Sequence, residues 1–414
     1  MARPEIEGGW FRGWPDRKRH EPIEGKDSDG RTIFAMGSVT EMQGRITPTD
    51  LYYVVAQIEM PEPMHPDDWE MEICGEVETP IKLKLSDLKK LPPHTVRAVT
   101  ECAGNGAPYF DYLHKGGRKP SMIEPGFDFQ AMKASAAKGA SMLEELNAVA
   151  PSLGIMSTGE FSGVRLRDVL KLAGVKPNTV ALRFQGFDRG RPDPSLVYLS
   201  AGRSDIDVKD PGVINYDKGL PIEKALHPDT LLAWSMNGEY LRHVHGAPLR
   251  LVVPGWSGNW WVKWIEKIEA MDHMPECYHQ TEYFVLGESH DDPNKIMCTA
   301  LGVKTIIVDP LDEDSPLKCG SHAVRGYAWS GEGKIIRVEV SVDGGKSWED
   351  ANIEESTDRW LWIRWTYVWD VNEPGAYQIM SRGTDENGRV QPQIPFNYQR
   401  KHFDGIVPTD IVIE

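Results

Sequence analysis

Hydrophobic positions recur along the chain with two different periods, and the switch between them divides it. Residues 1–48 show neither period: Gly8-Gly9, Pro15, Pro22 and Lys26-Asp27-Ser28-Asp29-Gly30 interrupt every run, which predicts an extended arm wrapping the body. Further on, Trp69, Met71 and Ile73 alternate with Glu70 and Glu72, the pattern of a half-buried strand over 69–77. Ser86 is placed to cap a short helix, 87–91, which the rings of Pro92-Pro93 end. A second strand, 95–100, runs straight into Glu101-Cys102-Ala103-Gly104-Asn105-Gly106, so Cys102 falls where a glycine-bearing turn begins.

Residues 107–158 combine a loop with an Ala-rich helical run, Phe129 to Ala150, and read as an insertion on the core. Leu166, Val169, Leu170 and Leu172 then recur at helical spacing over 165–173, with Gly174 at the C-cap. A strand over 180–184 leads into Gln185-Gly186-Phe187-Asp188. Strands, helices and long loops alternate here without a strict βαβ repeat, which predicts an α+β domain over 49–290. Beyond it the helices stop. Ile336, Val338, Val340 and Val342 alternate with polar residues before the hairpin turn Asp343-Gly344-Gly345-Lys346, and the pattern repeats to the end. A β-sandwich over 291–414 is expected.

Length and composition fit two or three folded domains: 414 residues, 40 % hydrophobic and 26 % charged. With 62 acidic against 46 basic residues, the net charge of −16 opposes nucleic acid and anionic lipid as partners. Five cysteines without CxxC or CxxCH spacing disfavour a disulfide framework, a cysteine zinc ribbon and a c-type haem. No apolar run reaches the roughly 18 residues of a membrane span. The first ten residues carry neither an apolar core nor a twin arginine, so a cytoplasmic protein is expected; removal of an export signal would make it periplasmic.

Two segments carry candidate chemistry. Cys102, at the mouth of a strand beside Gly104 and Asn105, has backbone N–H groups nearby that favour a thiolate; the bland alternative is a small buried hydrophobe. The run from His245 to Trp264 contains the apolar strand 249–253, interrupted by Arg250, then Pro254-Gly255-Trp256-Ser257-Gly258 and Lys263. Cations around flexible glycine backbone are what a phosphate-bearing ligand requires, whereas solvated surface charge is their usual fate. An arginine inside an apolar strand is not decorating a polar face.

Glu101-Cys102-Ala103-Gly104-Asn105 resembles the cysteine motif of the sulfite oxidase family of molybdenum enzymes, and His245 to Trp264 resembles its HGxPxR…VPGxxG…VKW signature. Leu232 to Gly238, Ala328-Trp329-Ser330-Gly331 and Val342 to Trp348 are similar to further landmarks of that family, in family order, over residues 50–414. The resemblance implies a molybdopterin-binding α+β domain followed by an immunoglobulin-like dimerisation domain, in a homodimer. It implies that Cys102 ligates molybdenum beside one molybdopterin, and that Asp188, His245, Arg250, Ser257, Gly258 and Lys263 hold the pterin and its phosphate. It further implies Tyr283, or Phe284 if the register shifts by one, as the active-site aromatic, and Arg400 as a substrate arginine displaced by one position.

Two departures bear on the substrate. Gly106-Ala107 and Ala56-Gln57-Ile58 stand where sulfite oxidases carry anion-binding arginines, and Trp256 to Lys263 is closest to the sulfane dehydrogenase branch, whose substrate is carried on a protein. The expected activity is oxygen-atom transfer between water and a small or protein-bound substrate, most simply a reduced sulfur compound. No haem motif is evident, so an external acceptor such as a cytochrome is expected. A reductase of sulfoxides or other oxidised compounds, and a metal-free scaffold, are the alternatives.

Overall fold

A computed structural model describes residues 23–24, 33–35, 44–116, 119, 153–192, 197, 207–289, 292–393 and 400–414. Most of the predicted arm and the whole of the 129–150 helix lie outside the described residues; of the arm, Ile23–Glu24 and Ile33–Ala35 join Val54–Val55 in a three-stranded sheet.

Two five-stranded sheets build the first body. In one, Pro93–Glu101 pairs antiparallel with Met156–Arg165 over its full length, from Pro93↔Val164 to Glu101↔Met156. Leu231–Met236 pairs on the other side of Met156–Arg165 and also receives Arg250–Val252. The second sheet runs Ile81–Lys84, Glu70–Gly75, Ile265–Met271, Ala181–Gly190, Ile214–Pro221, with only the Glu70–Gly75/Ile265–Met271 pair parallel. The helix Leu166–Ala173 buries Leu166, Val169, Leu170 and Ala173 against these sheets and ends at Gly174, whose φ of +66° suits a residue without Cβ. Leu172, expected on that face, is 47 % exposed, because it lies between the i, i+3, i+4, i+7 positions that the helix turns inward.

Two further expectations shift. The short helix is Leu85–Leu88, and Asp87 caps it from inside, its carboxylate accepting the Lys84 N–H at 3.0 Å; Ser86 lies within the turn. The ends of the expected 107–158 insertion belong to the core: Ala107–Lys115 forms a helix that buries Tyr109 and Phe110, and residues 156–158 are sheet.

The second body is a sandwich of two four-stranded sheets. One orders Lys304–Asp309, Gly320–Trp329, Ile363–Val371, Asn352–Ile353; the other orders Glu349–Asp350, Ile335–Ser341, Gly375–Asp385, Thr409–Ile413. Val324, Val338, Trp365, Ile379 and Ile411 fill the space between them. The hairpin turn forms as expected, with Gly344 and Gly345 at φ +75° and +88° and the Asp343 carboxylate accepting the Lys346 and Ser347 N–H groups. Ile336 is 56 % exposed: a bulge between Ile335 and Arg337 shifts the register, so Ile335 takes the inward position. The two bodies share a core in which Val99, Tyr109, Phe110 and Met156 pack with Tyr327, Trp329, Trp362 and Phe403, directly behind the strand that ends at Glu101.

Candidate active site

The strand Pro93–Glu101 delivers Cys102 to the wall of a narrow cleft. The Cys102 N–H donates to Ile155 O at 2.9 Å, and its carbonyl accepts the Asn105 N–H at 3.0 Å, so the turn is tied on both sides. Below it lies a buried polar anchor. Glu101 Oε1 accepts from Asn105 Nδ2 at 2.8 Å and from Lys304 Nζ at 2.6 Å, and Oε2 accepts the Trp329 indole N–H at 2.9 Å. The cysteine loop is thus fixed by residues of both bodies.

Burial pushes the Cys102 thiol up, although the Gly104 N–H and the Lys401 ammonium pull the other way. The expectation that the turn alone favours a thiolate is therefore not met: the walls desolvate the sulfur more than one N–H and one ammonium compensate, and a directly bound cation would reverse that balance. Among the described residues no three His, Cys, Asp or Glu side chains cluster to hold a metal. A metal at Cys102 would take its other donors from a second molecule.

Asp188, His245, Arg250, Gly258 and Lys263 line the same cleft, so five of the expected cofactor-binding residues share it with Cys102. The Arg250 guanidinium lies over the Phe161 and Trp261 rings at 5.4 and 5.6 Å, with Nη1 donating to His245 O at 3.0 Å and a buried Nε that has no partner. Lys263 Nζ donates to Val55 O and Val244 O at 3.0 and 3.1 Å. Burial holds the Lys263 amine and the His245 imidazole below their ordinary values, with Arg250 adding to both, while burial raises the Asp188 carboxyl. Asp188 Oδ1 and Asn259 Nδ2 are also buried without partners. Gly258 permits close approach: a Cβ there would stand 2.3 Å from the Tyr53 hydroxyl. Orphaned buried donors and acceptors, close glycine backbone and a thiol lining one cleft fit an anionic ligand that carries a metal.

Three expected residues lie elsewhere. Ser257 stands beside the cleft, its hydroxyl bonded to Asn259 Oδ1 at 2.5 Å and His402 Nε2 at 3.0 Å. Phe284 lines the cleft, and Tyr283 packs against it with its ring turned to Lys401, whose Nζ is 3.9 Å from the ring centroid. The π-helix His279–Tyr283 sets that one-residue offset, since its wider turn moves the following side chains around the axis. Arg400 is buried outside the cleft lining, and the cation facing Tyr283 and Gly104 is Lys401. Arg400 and His402, on either side of Lys401, both have positive φ, and Arg400 and Lys401 are both buried. Lys304, Tyr53 and Lys401 stand in no motif, whereas Glu101 and Trp329 lie within the segments 101–105 and 328–331 without a role that sequence assigned.

Comparison with known proteins agrees. Residues 57–279 match the family model for an oxidoreductase molybdopterin binding domain, and residues 295–400 that for a Mo-co oxidoreductase dimerisation domain. Mitochondrial sulfite oxidase of Drosophila melanogaster is 31 % identical over 84 % of this chain, which spans 55 % of that protein, little more than half its length. The NADH nitrate reductase of Ulva prolifera is 26 % identical over 85 % of the chain and 38 % of its own length. The crystal structure of the sulfane dehydrogenase SoxCD from Paracoccus pantotrophus superposes with a TM-score of 0.70 at 27 % identity, covering 94 % of this chain and 87 % of that one. The chain belongs to the sulfite oxidase family of molybdopterin enzymes.

Proposed function

We propose that this protein is a molybdopterin-dependent oxidoreductase that oxidises a reduced sulfur compound and passes the electrons to an external acceptor. The observation that carries the reading is the single cleft in which Cys102 faces Asp188, His245, Arg250, Gly258 and Lys263. When bound, the molybdenum cofactor would supply two-electron oxygen-atom transfer. Cys102 would ligate the metal, and Arg250, Lys263, His245, Asp188 and the Gly258 backbone would hold the pterin and its phosphate.

The chain's own residues set the substrate's environment. Lys401, buried between Tyr283 and the Gly104 turn beside Cys102, would draw an anionic group toward the metal site, and Tyr283 would orient it. Ala56 and Gln57 occupy the cleft wall without charge. One ammonium suits a substrate with a single dispersed negative end, or a sulfur group borne on a carrier protein, better than a compact dianion. Relatives named as sulfite oxidases and a neighbour named as a sulfane dehydrogenase support sulfur chemistry. Association of two copies through the sandwich accords with the dimerisation model it matches.

Metal analysis and turnover test the reading together. Protein made in cofactor-competent cells is expected to hold near-stoichiometric molybdenum and to oxidise sulfite or thiosulfate with a dye or cytochrome acceptor, and Cys102→Ser to lose the activity and the thiolate-to-metal absorption. Molybdenum-free, colourless wild-type protein would reject it. The reductase direction, to which the nitrate reductase relative lends support, predicts instead turnover of sulfoxides or nitrate with reduced dye and none with sulfite.

A further inference from the structure

Behind the cleft wall, Lys218 is completely buried and its Nζ has no hydrogen-bond partner. Three rings surround it: Phe284 at 4.7 Å, Trp260 at 5.1 Å and Tyr216 at 5.9 Å from the ammonium to their centroids. Ring faces attract a cation but do not replace a counter-charge or the lost hydration. The carboxylate next along the strand, Asp217, turns to Arg183, accepting from Nε at 2.8 Å and Nη2 at 2.5 Å. Among the described residues, the other titratable groups that interact with Lys218 are the buried thiols Cys277 and Cys298, each raised by burial to about 12, and His279, lowered by burial and by Lys218 to about 3. All three are uncharged at neutral pH. A buried ammonium without an anion is among the costliest arrangements a fold can keep, so the protonated lysine calls for a counter-charge that none of these three groups supplies.

The geometry indicates where. Phe284 and Tyr216, two of the three rings, also form part of the cleft lining, which Lys218 itself does not reach. Phe284 and Cys298 pack with Ala103, next to Cys102. We infer that Lys218 is a positioning residue for charge: its ammonium, held by Tyr216, Trp260 and Phe284, offsets across that wall the negative charge of the metal centre bound at Cys102. This rests on the molybdopterin reading of the cleft. It assigns Lys218 no contact with substrate and no proton in the reaction; it acts through the field it places behind the centre. Burial lowers the lysine to about 7 in the cofactor-free chain, so a bound anion restores its proton.

The test is a potentiometric titration of the holoenzyme, followed by the electron paramagnetic resonance of the one-electron-reduced molybdenum. Lys218→Met, neutral and of similar length, is expected to shift the reduction equilibrium at least tenfold toward the oxidised form, or 59 mV for one electron. Lys218→Arg is expected to stay within threefold of wild type. A purely structural role predicts instead equal shifts in both variants or none in either, and either result overturns the inference. Should the neutral variant not fold, side-chain ¹⁵N resonances of lysine-labelled wild type decide: Lys218 is expected to be charged at pH 8 in the holoenzyme and neutral without cofactor, and a neutral amine in both overturns it. Wild-type protein without molybdenum sinks the cleft reading and this one together, whereas full molybdenum with an unmoved equilibrium sinks Lys218 alone.

Discussion

Lys304 Nζ lies 2.6 Å from Glu101 Oε1, joining a strand of the sandwich to the residue before Cys102 across 203 positions of sequence. Both side chains are nearly inaccessible, at 2 % and 6 % exposure, so the pair has shed its water and depends on its remaining hydrogen bonds to Asn105 and Trp329. The cysteine loop is therefore held from outside its own domain.

Breaking that pair is expected to be expensive and its joint removal less so. Lys304→Met leaves the Glu101 carboxylate buried with two neutral donors and should cost about 3–5 kcal/mol. The double variant Glu101→Gln with Lys304→Met should recover a large part of the loss. Urea unfolding of the four proteins checks this, and additive losses would show that the two residues do not interact.

The substrate role proposed for Lys401, beside Tyr283 and Gly104, separates substrate binding from chemistry. Lys401→Met should raise KM for an anionic substrate about tenfold or more while kcat changes little, and Lys401→Arg should keep most of the affinity. An unchanged KM in Lys401→Met would return the role to Arg400.

Lys218 gives the cofactor-free protein a pH dependence with a definite sign. Its folded-state value is lowered to about 7 from an unfolded value of 10.5, so over that interval the unfolded chain binds the extra proton and stability rises with pH. The cost of burying the lysine is greatest below pH 7 and vanishes above 10.5. Lys218→Met should therefore stabilise the cofactor-free protein at pH 6 by up to about 5 kcal/mol, less any packing loss, and by progressively less toward pH 10. Chemical denaturation at several pH values measures it; a benefit that grows with pH would contradict the burial.

The bulge at Ile335–Arg337 sets which isoleucine matters. Ile335→Ala, inside the sandwich, should cost about 2 kcal/mol or more, and Ile336→Ala, on the surface, under about 0.5 kcal/mol. Thermal melts of the two variants read the register directly, and the reverse order would place the bulge elsewhere.

Much of this molecule is legible along the chain, because its signals are local. The alternation around Met71 and Ile73, the helical spacing of Leu166, Val169 and Leu170 with Gly174 behind, and the double glycine after Asp343 each state a backbone preference that packing then honours. Cys102 at a strand end and Arg250 within an apolar strand are legible for the same reason, as is their company with His245 and Lys263. Where a side chain's direction depends on a single residue of register, the signal fails. Phe284 rather than Tyr283 lines the cleft after a π-turn, Lys401 rather than Arg400 packs on Tyr283 between two positive-φ neighbours, and Ile335 rather than Ile336 turns inward at a bulge.

The amino-acid order thus determined the strands and turns, the cysteine at its loop and the cationic glycine-rich segment that shares its cleft. Tertiary structure alone decided that Lys304 and Trp329 brace Glu101, that Lys401 packs on Tyr283 beside the Gly104 turn, and that Lys218 lies beside Phe284 with no hydrogen-bond partner. Periodicity and turn chemistry act over a few residues, whereas the pairing of buried charge is settled only when segments far apart in the chain lose their water against one another.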